Sequence, residues 1–409
     1  MATTAPSFVI VGASLAGGTA AQTLREEGFT GRITLIGDES HRPYERPPLS
    51  KGYLLGDTDR EKVFVHQENW YADNDIDLRL GTAATRVHCD ARRVTLADKS
   101  LVTYDALLLT TGSTPRTLRL PGADLDGVRY LRGLEDSELL KTDFARGPRV
   151  VIIGAGWIGL ETASAARAAG LDVTVLEQAE LPLLRVLGHD VAQVFADLHL
   201  DHEVDLRCGV QVAAVTGADG RVTGVKLGDG TCLDADLVLV GVGITPNAYL
   251  AEDAGLEMDN GILVNEQLQT SDPAIYAAGD VANAYHPWLG RHLRVEHWAN
   301  ARRQGATAAK AMLGQDVAYD RLPYFFSDQY DIGMEYTGYV EPDGYDEIVF
   351  RGDVAGREFL AFWLADGRVL AGMNVNVWDV TGPIEELITS RRKVAPSRLA
   401  DLAVPLESL

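Results

Sequence analysis

Residues 149–161 read RVVIIGAGWIGLE, and the reading of this stretch decides the fold. Arg149–Ile153 is a β-branched run that predicts a buried parallel strand, Gly154-x-Gly156-x-x-Gly159 follows, and a helix begins inside the motif. In such a strand-turn-helix unit the first glycine makes the tight turn, the second lets the backbone approach a pyrophosphate, and the third lets the helix pack on the strand. Free amides at the helix N-terminus complete an anion site. The next strand, Asp172–Leu176, ends in Glu177. A carboxylate there accepts the ribose 2′-hydroxyl of NAD and repels the 2′-phosphate of NADP, so NADH is favoured over NADPH. A glycine-rich turn that serves only helix packing is the bland alternative, disfavoured by the complete series of strand, three glycines, helix, strand and acid.

A similar cradle, FVIVGASLAGG, occupies residues 8–18. Phe8–Val11 reads as a buried strand, Gly12 begins the turn, and Ala16–Glu26 reads as the helix. Ser14 stands at the second glycine site and Gly17 at the third. Serine is small enough to be tolerated there, but it makes this match less specific taken alone. The strand Arg32–Gly37 leads to Asp38, at about the distance where a ribose hydroxyl is bound. Two cradles fit two nicotinamides, a nicotinamide and a flavin, or a duplicated domain that lost one site.

The chain has 409 residues, more than one hydrophobic core usually fills, so two or three domains are expected. Its 46% hydrophobic and 23% charged residues are those of an ordinary globular protein. Asp and Glu outnumber Lys and Arg by 59 to 37, and the net charge of −22 repels nucleic acid and anionic membrane surfaces. The three cysteines, Cys89, Cys208 and Cys232, form no C-x-x-C, which argues against a disulfide framework, a metal site or a redox dithiol. MATTAPSFVIVGA lacks the charged start of a signal peptide, and no apolar run reaches the length of a membrane span. The expectation is a cytoplasmic protein with no bound metal.

Later segments choose between the readings of the two cradles. YDALLLTTG at 104–112 is an apolar strand ending in Thr-Gly, and TSDPAIYAAGD at 270–280 ends in a strand followed by Gly-Asp. These resemble the chain crossings and the flavin-binding aspartate of the two-dinucleotide-domain flavoprotein disulfide reductases, with a glutathione reductase-like α/β fold. With YERPPLSKGYL at 44–54, RYLRGLED at 129–136, GVGITPN at 241–247 and FFSDQYDIG at 325–333, nearly the whole chain is similar to the FAD-dependent ferredoxin reductases that serve bacterial cytochrome P450s and ring-hydroxylating dioxygenases.

That resemblance implies FAD in the first cradle and NADH in the second. Hydride transfer between the two rings is a matter of positioning and electrostatics, with the cofactors carrying the reaction. A cation that stabilises the reduced flavin, held by a carboxylate that also orients the nicotinamide, would serve it. Lys51 in PPLSKG and Glu161, two residues after Gly159, are the candidates. In the peroxidase and coenzyme A disulfide branches of the wider family the position of Lys51 bears the redox cysteine; lysine removes that thiol chemistry. A solvated lysine and a carboxylate favoured by its helix N-terminus are the plain alternatives.

By the same resemblance Asp38, Lys51, Arg132, Asp280 and Trp298 contact FAD, with Ala16 and Ala84 contributing backbone. For Arg132 the alternative is a surface salt bridge to Glu135 or Asp136. The helix within RVEHWANARRQGATAAKAML, 294–313, would direct its N-terminal dipole at the flavin, with Trp298 contributing mainly backbone. Arg185 falls near the adenine-ribose end of NAD, and Gly243 lets the backbone pass near the nicotinamide. Phe326 stands where several relatives carry a tryptophan beside the flavin.

The implied plan is an FAD domain split between 1–113 and 243–322, an NAD domain at 114–242, and an α+β C-terminal domain at 323–409. In the last, the alternating runs EFLAFWLA and RVLAGMNVNVW suggest an antiparallel sheet before the helix GPIEELITSRR. The implied activity is NADH:ferredoxin reduction, with a 2Fe-2S ferredoxin or a rubredoxin as partner upstream of an oxygenase, and the protein a monomer or weak homodimer. An acidic ferredoxin would need clustered cations, of which Arg302 with Arg303, and Arg391, Arg392 and Lys393, are the densest. The rival readings are an NADH oxidase or peroxidase and an NADH-sensing interaction protein resembling apoptosis-inducing factor.

Overall fold

The computed structural model describes residues 5–409, so the first four residues of the segment read against a signal peptide lie outside the described residues. The chain divides into two compact units. The first comprises the residues up to Arg46, Asp59–Thr114 and Ile244–Arg321; the second comprises Pro47–Thr58, Pro115–Gly243 and Leu322–Leu409.

In the first unit, five parallel strands lie in the order Ile275–Ala277, Ala106–Leu109, Ser7–Val11, Arg32–Ile36 and Ile76–Arg79. The apolar runs are buried on both faces, as a parallel sheet requires: Val9, Ile10, Leu107 and Leu108 have no exposed surface. Each such side chain contributes about 1.5–3 kcal/mol on burial. The helices Leu15–Glu26 and Trp298–Met312 meet through small residues. A Cβ on Gly305 would fall 2.4 Å from the Ala16 carbonyl oxygen, so the crossing is closer than alanine permits.

The second unit repeats the arrangement, with parallel strands in the order Asp205–Arg207, Val173–Leu176, Val150–Ile153, Leu237–Val240 and Val128–Tyr130. Its last segment forms a five-stranded antiparallel sheet, ordered Tyr324–Gln329, Ile332–Gly338, Arg368–Val375, Glu358–Ala365 and Glu347–Asp353, followed by the helix Thr381–Ser390.

The run EFLAFWLA forms a strand of the expected antiparallel sheet, and its residues Phe359–Leu364 are all buried. Neighbouring side chains on this strand find cover on opposite faces. Trp363 donates its indole N–H to the Leu187 carbonyl (3.1 Å), in the helical segment Leu184–Asp201. Phe362 lies with Ile384, of the helix Thr381–Ser390, around Gly372, where a Cβ would meet both.

Candidate functional site

The first cradle is built on Gly12, whose φ of +118° opens the turn while its N–H donates to the Ile36 carbonyl at 2.8 Å. A Cβ there would sit 2.2 Å from the Thr110 carbonyl oxygen, and one on Gly17 would sit 2.1 Å from that of Gly12. Both glycines are therefore demanded by packing of strand, turn and helix. Ser14 occupies the N-cap of the helix in extended conformation. Its hydroxyl donates to the Thr110 carbonyl (3.1 Å), turned back onto the strand, which accounts for serine at a glycine position.

Asp38 is exposed beyond the strand Arg32–Ile36, its Oδ1 accepting from the Glu39 amide at 3.1 Å. Asp280 accepts from the Ser113 hydroxyl at 2.7 Å. The turn before it is fixed by buried Gln304, whose Oε1 accepts from the Gly279 amide at 2.9 Å. Ala84 is buried, its carbonyl taking the Tyr249 hydroxyl. Trp298 opens its helix after the N-cap His297, and the Arg302 guanidinium lies 5.4 Å from its ring. Burial brings the His297 imidazole down to about 4, against the opposing pull of Asp280. Sequence reasoning missed Thr110, Ser113 and Gln304, and also the group in which Glu39 accepts from Arg46 (2.8 Å) and from the Tyr44 hydroxyl (2.5 Å).

In the second cradle Gly154 has φ +102° and donates to the Leu176 carbonyl at 2.8 Å. Cβ atoms on Gly154 and Gly159 would fall 2.4 Å from the Gly241 carbonyl oxygen and 2.0 Å from that of Gly154. Gly156 differs, since a Cβ there would meet nothing within 4 Å. The protein's own packing does not call for glycine at this position, and the space beside it is open.

Glu177 accepts two backbone hydrogen bonds, from Ala155 (2.7 Å) and Ala179 (2.8 Å), and so ties the glycine turn to the end of the next strand. Those bonds leave lone pairs on each carboxylate oxygen for a hydroxyl donor. Arg185 is exposed, and Gly243, at φ +99°, accepts from the Arg116 amide at 2.9 Å. Asp136 accepts from the backbone amides of Arg132 and Gly133 at 2.9 and 2.8 Å, holding the start of the helix Leu134–Phe144.

Lys51 and Glu161 come together in the second unit. Lys51 Nζ lies 2.8 Å from Glu161 Oε2, with the side chains 15% and 5% exposed. Pro47–Ser50 form a single 3-10 turn that ends at the lysine, and Glu161 projects from the fingerprint helix Trp157–Ala168. The hydroxyl of Ser50 donates to the same Oε2 (2.5 Å), and that of Ser327 to Oε1 (2.7 Å). Phe326 is half-buried with its ring centre 5.6 Å from the Lys51 ammonium, within cation–π range. A buried ion pair is tolerated only when hydrogen bonds satisfy what remains of both charges, and two serine hydroxyls do so for this carboxylate.

Of the basic clusters, Arg302 and Arg303 are exposed. Lys393 is paired with Asp366 (2.7 Å), which also takes Arg368 (2.6 Å), so part of that cluster's charge is already balanced. Among the described residues no helix is long and apolar enough to cross a membrane.

A family model described as pyridine nucleotide-disulphide oxidoreductase matches residues 6–305, and one described as reductase C-terminal matches residues 324–409. The chain is 40% identical over 408 residues to putidaredoxin reductase of Pseudomonas putida, covering 98% of this chain and 96% of the relative. It is 39% identical to the ferredoxin-NAD(+) reductase component of an anthranilate 1,2-dioxygenase system from Burkholderia cepacia, covering 99% of both chains. Its fold matches the reductase in a crystal structure of a covalent putidaredoxin reductase-putidaredoxin complex with a TM-score of 0.94, at 40% identity, covering 98% of this chain and 97% of that one.

Proposed function

The chain belongs to the pyridine nucleotide-disulphide oxidoreductase family and is an oxidoreductase, and from that premise we propose that it is a cytoplasmic NADH:ferredoxin reductase containing FAD. Its electron acceptor on this reading is a 2Fe-2S ferredoxin, or a rubredoxin, that supplies a cytochrome P450 or a ring-hydroxylating dioxygenase. Two relatives with full-length coverage, named for putidaredoxin and for a dioxygenase system, support that partner class.

Bound FAD supplies the conversion of a two-electron hydride into single electrons. The protein's part is to bind, orient and charge-balance. In the first cradle Gly12, Ser14, Ala16 and Gly17 present the turn and helix amides to a pyrophosphate, Asp38 takes a ribose, and Asp280 takes the ribityl chain. Ala84, Arg132 and the Trp298 backbone are further FAD contacts. The helix starting at Trp298 adds positive potential where reduction places negative charge.

In the second cradle Gly154, Gly156 and Gly159 serve the NADH pyrophosphate and Glu177 its adenine ribose, with Arg185 nearby and Gly243 passing the nicotinamide. Lys51 is the cation for the reduced ring. Glu161 holds Lys51 and orients the nicotinamide amide, while Phe326 supplies apolar shielding.

The observation that carries the proposal is the buried ion pair between Lys51 and Glu161, the latter on the helix of the second glycine cradle. Lysine rather than cysteine at this position disfavours the oxidase and peroxidase reading. The test is anaerobic stopped-flow of the yellow protein mixed with NADH or NADPH, followed by addition of a 2Fe-2S ferredoxin. Fast bleaching by NADH, slow bleaching by NADPH and subsequent ferredoxin reduction are expected. Flavin that bleaches but passes electrons to neither a ferredoxin nor a rubredoxin would overturn the proposal.

A further inference from the structure

Behind Glu161 lies a run of buried polar side chains that the proposed reaction does not use directly. Ser327 Oγ, bonded to Glu161 Oε1, is 3.1 Å from Gln329 Nε2; Gln329 Oε1 is 2.9 Å from His199 Nε2; His199 Nδ1 is 3.2 Å from the Tyr330 hydroxyl. Ser327 and Gln329 are each 1% exposed and His199 has no exposed surface. The chain joins the fingerprint helix, the strand Tyr324–Gln329 and the segment Leu184–Asp201, all within the second unit.

Its donors have one consistent direction. An ionised Glu161 can only accept, so the Ser327 hydroxyl must donate to it. The Ser327 oxygen then accepts from the Gln329 amide nitrogen, which turns the Gln329 carbonyl toward His199. That carbonyl can only accept, so His199 carries its proton on Nε2, and its bare Nδ1 accepts from Tyr330. Reversing any link leaves two donors or two acceptors facing each other among side chains that are almost wholly buried, at the full desolvation cost.

We infer that Ser327, Gln329 and His199 are positioning residues for the Glu161 carboxylate, holding it in one rotation toward Lys51. The terminal torsion of a glutamate is otherwise broad and roughly two-fold. With Oε1 fixed by Ser327, Oε2 stays on Lys51 and Ser50. Burial also holds the His199 imidazole well down, to about 4, so the relay stays neutral at physiological pH. The inference rests on the reading of Glu161 as the group that orients nicotinamide.

The experiment compares the FAD-loaded parent with Ser327→Ala, Gln329→Leu and Glu161→Gln by two measurements. Long-range nitrogen-15 NMR of the imidazoles, with His199 assigned by its loss in His199→Gln, reports the tautomer directly. The expected parent signal is a neutral ring protonated at Nε2, and Ser327→Ala and Gln329→Leu release it to a mixture. Anaerobic flavin reduction is the second measurement. Both relay variants should lower the limiting rate about tenfold, equivalent to about 1.4 kcal/mol, with NADH affinity little changed. Gln329→Met, close in shape and without either polar group, should do the same if Gln329→Leu does not fold.

A parent His199 protonated at Nδ1, or relay variants that reduce at the parental rate while Glu161→Gln is slow, overturns the inference alone. A Glu161→Gln protein that reduces as fast as the parent removes both the inference and the reading beneath it.

Discussion

Replacing Lys51 with methionine keeps most of the side chain's length and apolar stem and removes only the charge. The Glu161 carboxylate, 5% exposed, then loses its cation at 2.8 Å. Stranding one member of a buried pair costs about 3–5 kcal/mol. Here the Ser50 and Ser327 hydroxyls continue to donate to the ion, which places the loss at the lower end, about 3 kcal/mol. The second unit holds roughly 230 residues, and at about 2.1 cal/mol/K per residue its unfolding entropy is about 0.5 kcal/mol/K. Lys51→Met should therefore lower the thermal midpoint of that unit by about 6 °C. Adding Glu161→Gln removes the orphaned charge and should restore more than half of the loss, a positive coupling in the double-mutant cycle. The assay is calorimetry of FAD-saturated protein for the parent, the two single variants and the double. A Lys51→Met midpoint within 1 °C of the parent, or a double variant no more stable than Lys51→Met, would refute the argument that a desolvated ion pair is at work.

Gly159→Ala should cut NADH affinity at least about tenfold while purified protein keeps its flavin, because the added Cβ would fall 2.0 Å from the Gly154 carbonyl oxygen in the second cradle alone; fluorescence titration and flavin absorbance check both. His199 binds its proton more weakly folded, at about 4, than at the ordinary 6.5, so the unfolded chain takes up protons first and stability falls as pH drops through that window. Between pH 6.5 and 5 that is about 1.6 kcal/mol from this residue, read as the difference in urea unfolding between the parent and His199→Gln, which leaves the similarly depressed His297 in both. Thiol titration at pH 8 should find one fast cysteine, exposed Cys232, since burial pushes Cys208 up to about 11, with Glu177 adding to it, and burial also raises half-buried Cys89.

The two cradles were legible because their signal is local. Gly12 and Gly154 need φ above +100°, and Gly17 and Gly159 leave no room for a methyl group, so spacing in sequence translates directly into packing. The C-terminal sheet was legible as strands, but not its burial, since only tertiary cover from Leu184–Asp201 and Thr381–Ser390 explains a strand with both faces hidden. Lys51 and Glu161 stand 110 positions apart, and nothing in their local patterns pairs them; family position singled each out. Ser50, Ser327, Gln329 and His199 gave no signal, because a serine or glutamine in sequence looks solvated until its partners are known. Glu177 was read for a ribose, while its two bonds to the Ala155 and Ala179 amides depend on a loop closure that spacing does not display.

The interleaving of the two units has a consequence for biosynthesis. The strand Ala106–Leu109 pairs on one side with Ser7–Val11 and on the other with Ile275–Ala277, which leaves the ribosome roughly 170 residues later. At about 5–20 residues per second, that apolar edge waits roughly 10–30 seconds for its partner. An unpaired hydrophobic edge is a template for pairing with another chain. Nascent molecules should therefore depend on chaperone shielding, and a chain ended after Gly243 should aggregate although it contains the whole glycine turn of the first cradle.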